Sequence, residues 1–169
     1  MTIITAAHYA IAFVFISLII YAMISDMKFL IIKNWISVAL IATFALHAAL
    51  STGPFDLTSH IIAAAGFFVA GFFLFSAGWI SGGDVKLMTA VSLWAGPELI
   101  FPFAFLTTWL GLGLASAVLG AQWLNKHGEA VGMPSHMRLM IPRWAKHGLV
   151  PYGIAIGLAA LIIVPARLF

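Results

Sequence analysis

Six apolar stretches, separated by short polar connections, run the length of this 169-residue chain. They cover about residues 7–24, 35–50, 61–80, 85–95, 99–123 and 150–164. A helix needs about 20 predominantly apolar residues to cross a bilayer, and the pattern predicts six crossing helices joined by short loops. The first carries Tyr9 and Tyr21 near its ends, where amphipathic rings suit the interface. No basic segment precedes it and no small-residue cleavage site follows, so it is expected to be a retained helix and not a signal peptide. The second begins after Asn34, a residue suited to an N-cap, and stops before Ser51-Thr52-Gly53-Pro54. The third is rich in Phe and is expected to be bulk facing lipid. The fourth is short for a crossing and ends at Gly96-Pro97, while the fifth holds Gly111, Gly113 and Gly120, which permit close helix contact. The one long polar stretch spans residues 125–149. Within it, Met137, Leu139, Met140, Ile141 and Trp144 supply the apolar side of a short helix lying on the membrane surface.

Composition agrees with the pattern. Apolar residues make up 63% of the chain and charged ones 8%, with a mean hydropathy of +1.11, against roughly a quarter charged in a soluble domain. The fold class expected is therefore all-α: one polytopic membrane domain over residues 1–169, a bundle of six transmembrane helices. With no cysteine there is no disulfide framework, thiol nucleophile or Cys-based metal site. A net charge of +3 is too sparse for a nucleic-acid footprint, and nucleic acid is excluded as a partner.

The basic residues set an orientation instead. Lys28 and Lys33 lie between the first two spans, Lys86 between the third and fourth, and Lys126, Arg138, Arg143 and Lys146 between the last two. All seven share one side, leaving Arg167 on the other. The positive-inside rule makes the shared side cytoplasmic and both termini periplasmic. Asp56 and Glu98 then fall in external loops.

Two of the five acidic residues, Asp26 and Asp84, sit at cytoplasmic ends of spans, distant in sequence but at one membrane depth. Two carboxyls brought together cannot both ionise cheaply, and they share a proton. The ionised member takes a proton from water while the protonated member polarises a peptide carbonyl, chemistry that needs no metal or cofactor. Gly82-Gly83 offers a flexible segment without side chains against which an extended substrate can lie, and a nearby helix N-terminus favours ionised Asp84. Taken singly, Asp26 also reads as an interfacial carboxylate neutralised by Lys28, and Asp84 as an N-cap. Lys28, Lys33 and Lys86 read more simply as topology signals and headgroup contacts. Asn34 either caps the second span or orients Asp26. The histidines show no metal spacing: His8, His47 and His60 are scattered, and His127, His136 and His147 share a loop.

These residues carry a resemblance. Ser81-Gly82-Gly83-Asp84-Val85-Lys86 resembles the Gly-x-Gly-Asp-x-Lys segment of the type IV prepilin peptidases. Asp26-Met27-Lys28 with Ile32-Lys33-Asn34 resembles their other aspartate motif, and Val150-Pro151-Tyr152-Gly153 their Ile-Pro-Tyr/Phe-Gly segment. Two positions depart from the pattern, Ser81 in place of glycine and Lys33 in place of proline. The resemblance implies an inner-membrane aspartic endopeptidase that removes the short basic leader of prepilins at the cytoplasmic face. Asp26 and Asp84 would be its catalytic pair, with Gly82, Gly83, Lys28, Asn34, Lys86 and Tyr152 as supporting residues. Its partners would be the lipid bilayer and a prepilin, leader plus apolar helix; its oligomeric state stays open. Without cysteine, and with few residues before Asp26, the chain is similar to the short form of the tight-adherence (Flp) pilus systems. That form has no N-terminal zinc and methyltransferase domain. The alternative reading is a small cation or solute transporter, or a non-catalytic secretion-assembly subunit, that uses the two aspartates for ion binding or structure.

Overall fold

The structure, a computed structural model, describes residues 3–51, 55–127, 132, 134 and 141–165. It contains α1 (Ile3–Phe29), α2 (Asn34–Leu50), α3 (Leu57–Ser76), a long helical run Gly82–His127, the single turn α6 (Arg143–Lys146) and α7 (Tyr152–Ile163). The long run breaks at Gly96, with φ 63° and ψ −177°, and its two arms are α4 (82–95) and α5 (97–127). No strand occurs among the described residues. Ala6–Phe29, Leu57–Ser76 and Gly82–His127 are long and apolar enough to cross a membrane, and α2 and α7 are apolar but shorter.

The break at Gly96 reverses the chain. A continuous helix would place Thr107 about 34 Å from Asp84 at about 1.5 Å per residue, yet both line one cavity. Glu98, expected in a loop, instead sits in the first turn of α5 behind Pro97. A proline at the first helical position and a carboxylate near the N-terminal dipole both suit a helix start. Helix α3 also starts earlier than its apolar run. Asp56, expected in a loop, is its N-cap, accepting from the Thr58 and Ser59 N–H groups at 3.0 and 3.3 Å. The same helix ends at Ser76, so Trp79 and Ile80 belong to the connection that follows. The expected surface helix within residues 125–149 lies largely outside the described residues; of its apolar set, Trp144 is in α6 and Ile141 just precedes it.

Buried positions recur at helical spacing on each element. They are Ile11, Phe15, Ile19, Ala22 and Asp26 on α1, Ile36, Leu40 and Phe44 on α2, and Asp84, Leu87, Val91 and Trp94 on α4. Ile156, Ala160 and Val164 continue the core from α7 and its end. Both aspartates therefore occupy the last or first position of a buried stripe. Trp94 ties three helices: its indole N–H donates to the Leu40 carbonyl at 3.0 Å, and its ring packs 4.8 Å from Phe15. Phe72, Phe73, Phe105, Trp109 and Leu119 stand exposed on the outside. A surface so apolar suits lipid and not water.

Candidate active site

Helix α1 carries Asp26 into the bundle and ends one turn later. Leu30 adopts φ +54°, its N–H donating to the Asp26 carbonyl at 2.8 Å. The buried Ser25 hydroxyl donates to the Ile31 carbonyl at 2.7 Å and closes the turn. The Asp26 side chain is 5% exposed, and its Oδ2 accepts from the Gly153 N–H at 2.7 Å. That amide lies in the first turn of α7, where backbone donors have no partner within the helix. Gly153 has no room for a side chain, since a Cβ there would stand 2.8 Å from Asp26 Oδ2.

Asp84 is held by a different local device. It is the third residue of α4 and not its N-cap. Ser81 takes the cap position: its hydroxyl accepts from the Asp84 N–H at 3.2 Å, while Asp84 Oδ2 accepts from the Ser81 N–H at 3.1 Å. This is the reciprocal arrangement of a capping box, with Asp in the place usually held by Glu. Burial of a carboxylate is costly unless hydrogen bonds replace water, and each aspartate receives one backbone N–H. The serine that departs from the family pattern thus has a defined structural part.

The capping box corrects the reading of the glycines. Gly82 and Gly83 form the first turn of α4, a regular helical segment in place of the flexible one expected. A Cβ on Gly83 would meet Ile32 Cβ at 3.2 Å. Glycine here lets the turn between α1 and α2 approach α4 closely. Asp84 also borders an apolar cavity of about 520 Å³ walled by α3, α4, α5 and α7, with Trp79 at its rim.

The other expected site residues divide. Tyr152 is half-buried, lines the cavity and packs over Gly111, where a Cβ would stand 2.6 Å from its ring. Lys28 is exposed. Lys33 donates to the Tyr21 hydroxyl at 3.4 Å. Asn34 neither caps α2 nor reaches Asp26. The cap position belongs to Lys33, with no side-chain bond, and Asn34 Oδ1 accepts from Lys86 Nζ at 2.9 Å on the exposed surface. His8 and His47, scattered in sequence, meet edge-on with ring centroids 5.4 Å apart, and buried His60 lies on the Leu93 carbonyl. Among the described residues no group of three His, Asp or Glu is placed to hold a metal ion; His136 lies outside them. The Gly153 amide and the Ser81 hydroxyl both lie in the sequence motifs, yet residue type alone gives neither group a part in the site.

Fold and site together define a helical membrane protein with two buried aspartates at one end of its bundle. Residues 13–116, more than half of the chain, match the model of the type IV leader peptidase family. The chain belongs to that family and is a protease by membership. The matched segment includes both aspartates and ends before Tyr152-Gly153. No curated protein and no solved structure matches the chain.

Proposed function

We propose that this chain is an aspartic prepilin leader peptidase in which Asp26 and Asp84 are the catalytic pair. The observation that carries the reading is two buried carboxyls, one from α1 and one from α4: Asp26 is bonded to the Gly153 amide next to Tyr152, and Asp84 and Tyr152 line one apolar cavity. One carboxylate takes a proton from water as its oxygen attacks the scissile carbonyl. The other, protonated, donates to the carbonyl oxygen. Collapse of the tetrahedral adduct breaks the C–N bond, leaving a carboxylate on the leader and an amine on the mature chain. The cavity takes the apolar segment that follows the cut, while the basic leader stays outside the bilayer.

The substrate we favour is a prepilin of the Flp type, cut without N-methylation. The topology we favour has six crossings, both termini periplasmic and the aspartates at the cytoplasmic face of the inner membrane, as the seven basic residues on one side suggest. Co-expression with an Flp-type prepilin tests the reading by mass spectrometry of the product. Loss of the leader with an unmethylated new N-terminus is expected. An intact prepilin, with both proteins inserted in the membrane, contradicts it.

A further inference from the structure

Hydroxyls on apolar helices ordinarily bond back to their own helix, and this chain follows that habit. Ser17, Thr43, Ser76, Thr89, Ser92, Thr108 and Ser116 each donate to the carbonyl four residues earlier, at 2.6–2.9 Å. Thr107 breaks it. Its residue is 6% exposed, and its Oγ1 is buried without any hydrogen-bond partner, although the Phe103 carbonyl stands one turn before it. Ser37 Oγ is also unpaired, but Ser37 is not among the residues lining the cavity, whereas Thr107 is.

An unpaired buried hydroxyl destabilises the protein that carries it, so it marks a site where something other than folding sets the residue. The cavity wall is otherwise mostly hydrocarbon, with Phe67, Leu74, Met88 and Ile156 among its residues. Its other polar side chains are largely committed. Thr108 is bonded to Ala104, and Asp84 is engaged with Ser81. A peptide bond cut beside Asp84 must be unwound, because a helical one is shielded by its neighbours. Unwinding strips the adjacent peptide groups of their helical partners in a place where water is scarce.

We infer that Thr107 is a substrate-binding residue. Its hydroxyl, turned into the cavity by rotation about χ1, hydrogen-bonds a peptide group of the unwound substrate segment next to the scissile bond. The inference rests on the peptidase reading above. It also has a sign that a packing role lacks: removing the hydroxyl weakens substrate binding without weakening the fold.

The test compares purified wild type, Thr107→Val and Thr107→Ser on a prepilin in detergent, with Ser116→Ala as a control for losing a hydroxyl on the same helix. For Thr107→Val, KM should rise about two- to tenfold, the worth of one hydrogen bond, with kcat little changed. Its thermal midpoint should equal or exceed that of wild type. Thr107→Ser should restore KM, and Ser116→Ala should leave it unchanged. An unchanged KM in Thr107→Val, or a loss matched by lower thermal stability, overturns the inference while the active wild type upholds the peptidase reading. A wild type that leaves the prepilin whole overturns both.

Discussion

Gly153 and Asp26 lie 127 residues apart, and the backbone N–H of the first donates to Oδ2 of the second at 2.7 Å. This bond makes α7 part of the proposed site through a backbone group, beside the Tyr152 ring that lines the cavity. It also makes two demands on position 153, a free amide and no side chain. A Cβ would lie 2.8 Å from the carboxylate oxygen and 3.0 Å from Asp26 Cβ and Cγ.

Gly153→Ala should therefore displace the Asp26 carboxyl while sparing most of the fold. A shift of about 1 Å in a catalytic group costs about a hundredfold in rate. We expect kcat to fall by about that factor, measured as leader removal against time. Full activity in a well-inserted Gly153→Ala protein would show that the contact does not position Asp26.

Ser81 offers a graded test of the capping box. Ser81→Ala removes the cap acceptor for the Asp84 N–H and should lower stability by about 1 kcal/mol, whereas Ser81→Gly should cost only a few tenths. Thermal unfolding in detergent reads both. Activity should follow the same order, because glycine is the residue the family pattern has here.

Gly83→Val and Gly111→Val should both impair folding or helix packing, through different neighbours. The first drives its side chain into Ile32, the second into the Tyr152 ring. Overpacking of this kind costs about 1–3 kcal/mol. In contrast, Lys86→Met removes only an exposed bond to Asn34 and should shift stability by no more than about 0.5 kcal/mol, with cleavage near wild type.

The chain contains no cysteine, so single cysteines report topology directly. Cysteine placed at the exposed positions Lys28 and Lys86 should escape a membrane-impermeant maleimide in intact cells. Cysteine at exposed Leu57 should react. Labelling of all three would contradict the orientation drawn from the basic residues.

Much of this was legible in the sequence because hydrocarbon must be covered by apolar side chains whatever the packing. Among the described residues, runs of apolar residues located α1–α5 and α7, and Gly96-Pro97 marked the sharp break between α4 and α5. The helix ends were less legible. Asp56 and Ser81 extend α3 and α4 beyond their apolar runs through hydrogen bonds that hydropathy does not register. The inward faces were hidden too, since in a membrane bundle both faces of a helix are apolar. Only the spacing of Asp26 after Ile19 and Ala22, and of Asp84 before Leu87 and Val91, held that information. The contacts of Gly153 with Asp26 and of Gly83 with Ile32 depend on backbone approach between distant segments. Residue type shows that a glycine is present but not which neighbour requires it.

The most direct measurement is prepilin cleavage by wild type, Asp26→Asn and Asp84→Asn at matched membrane levels, read by mass spectrometry of the pilin. Asparagine keeps the shape of each side chain and removes its ability to exchange a proton with water. Complete leader removal by wild type and none by either variant is the expected result. Cleavage that persists in either variant would contradict the two-aspartate mechanism.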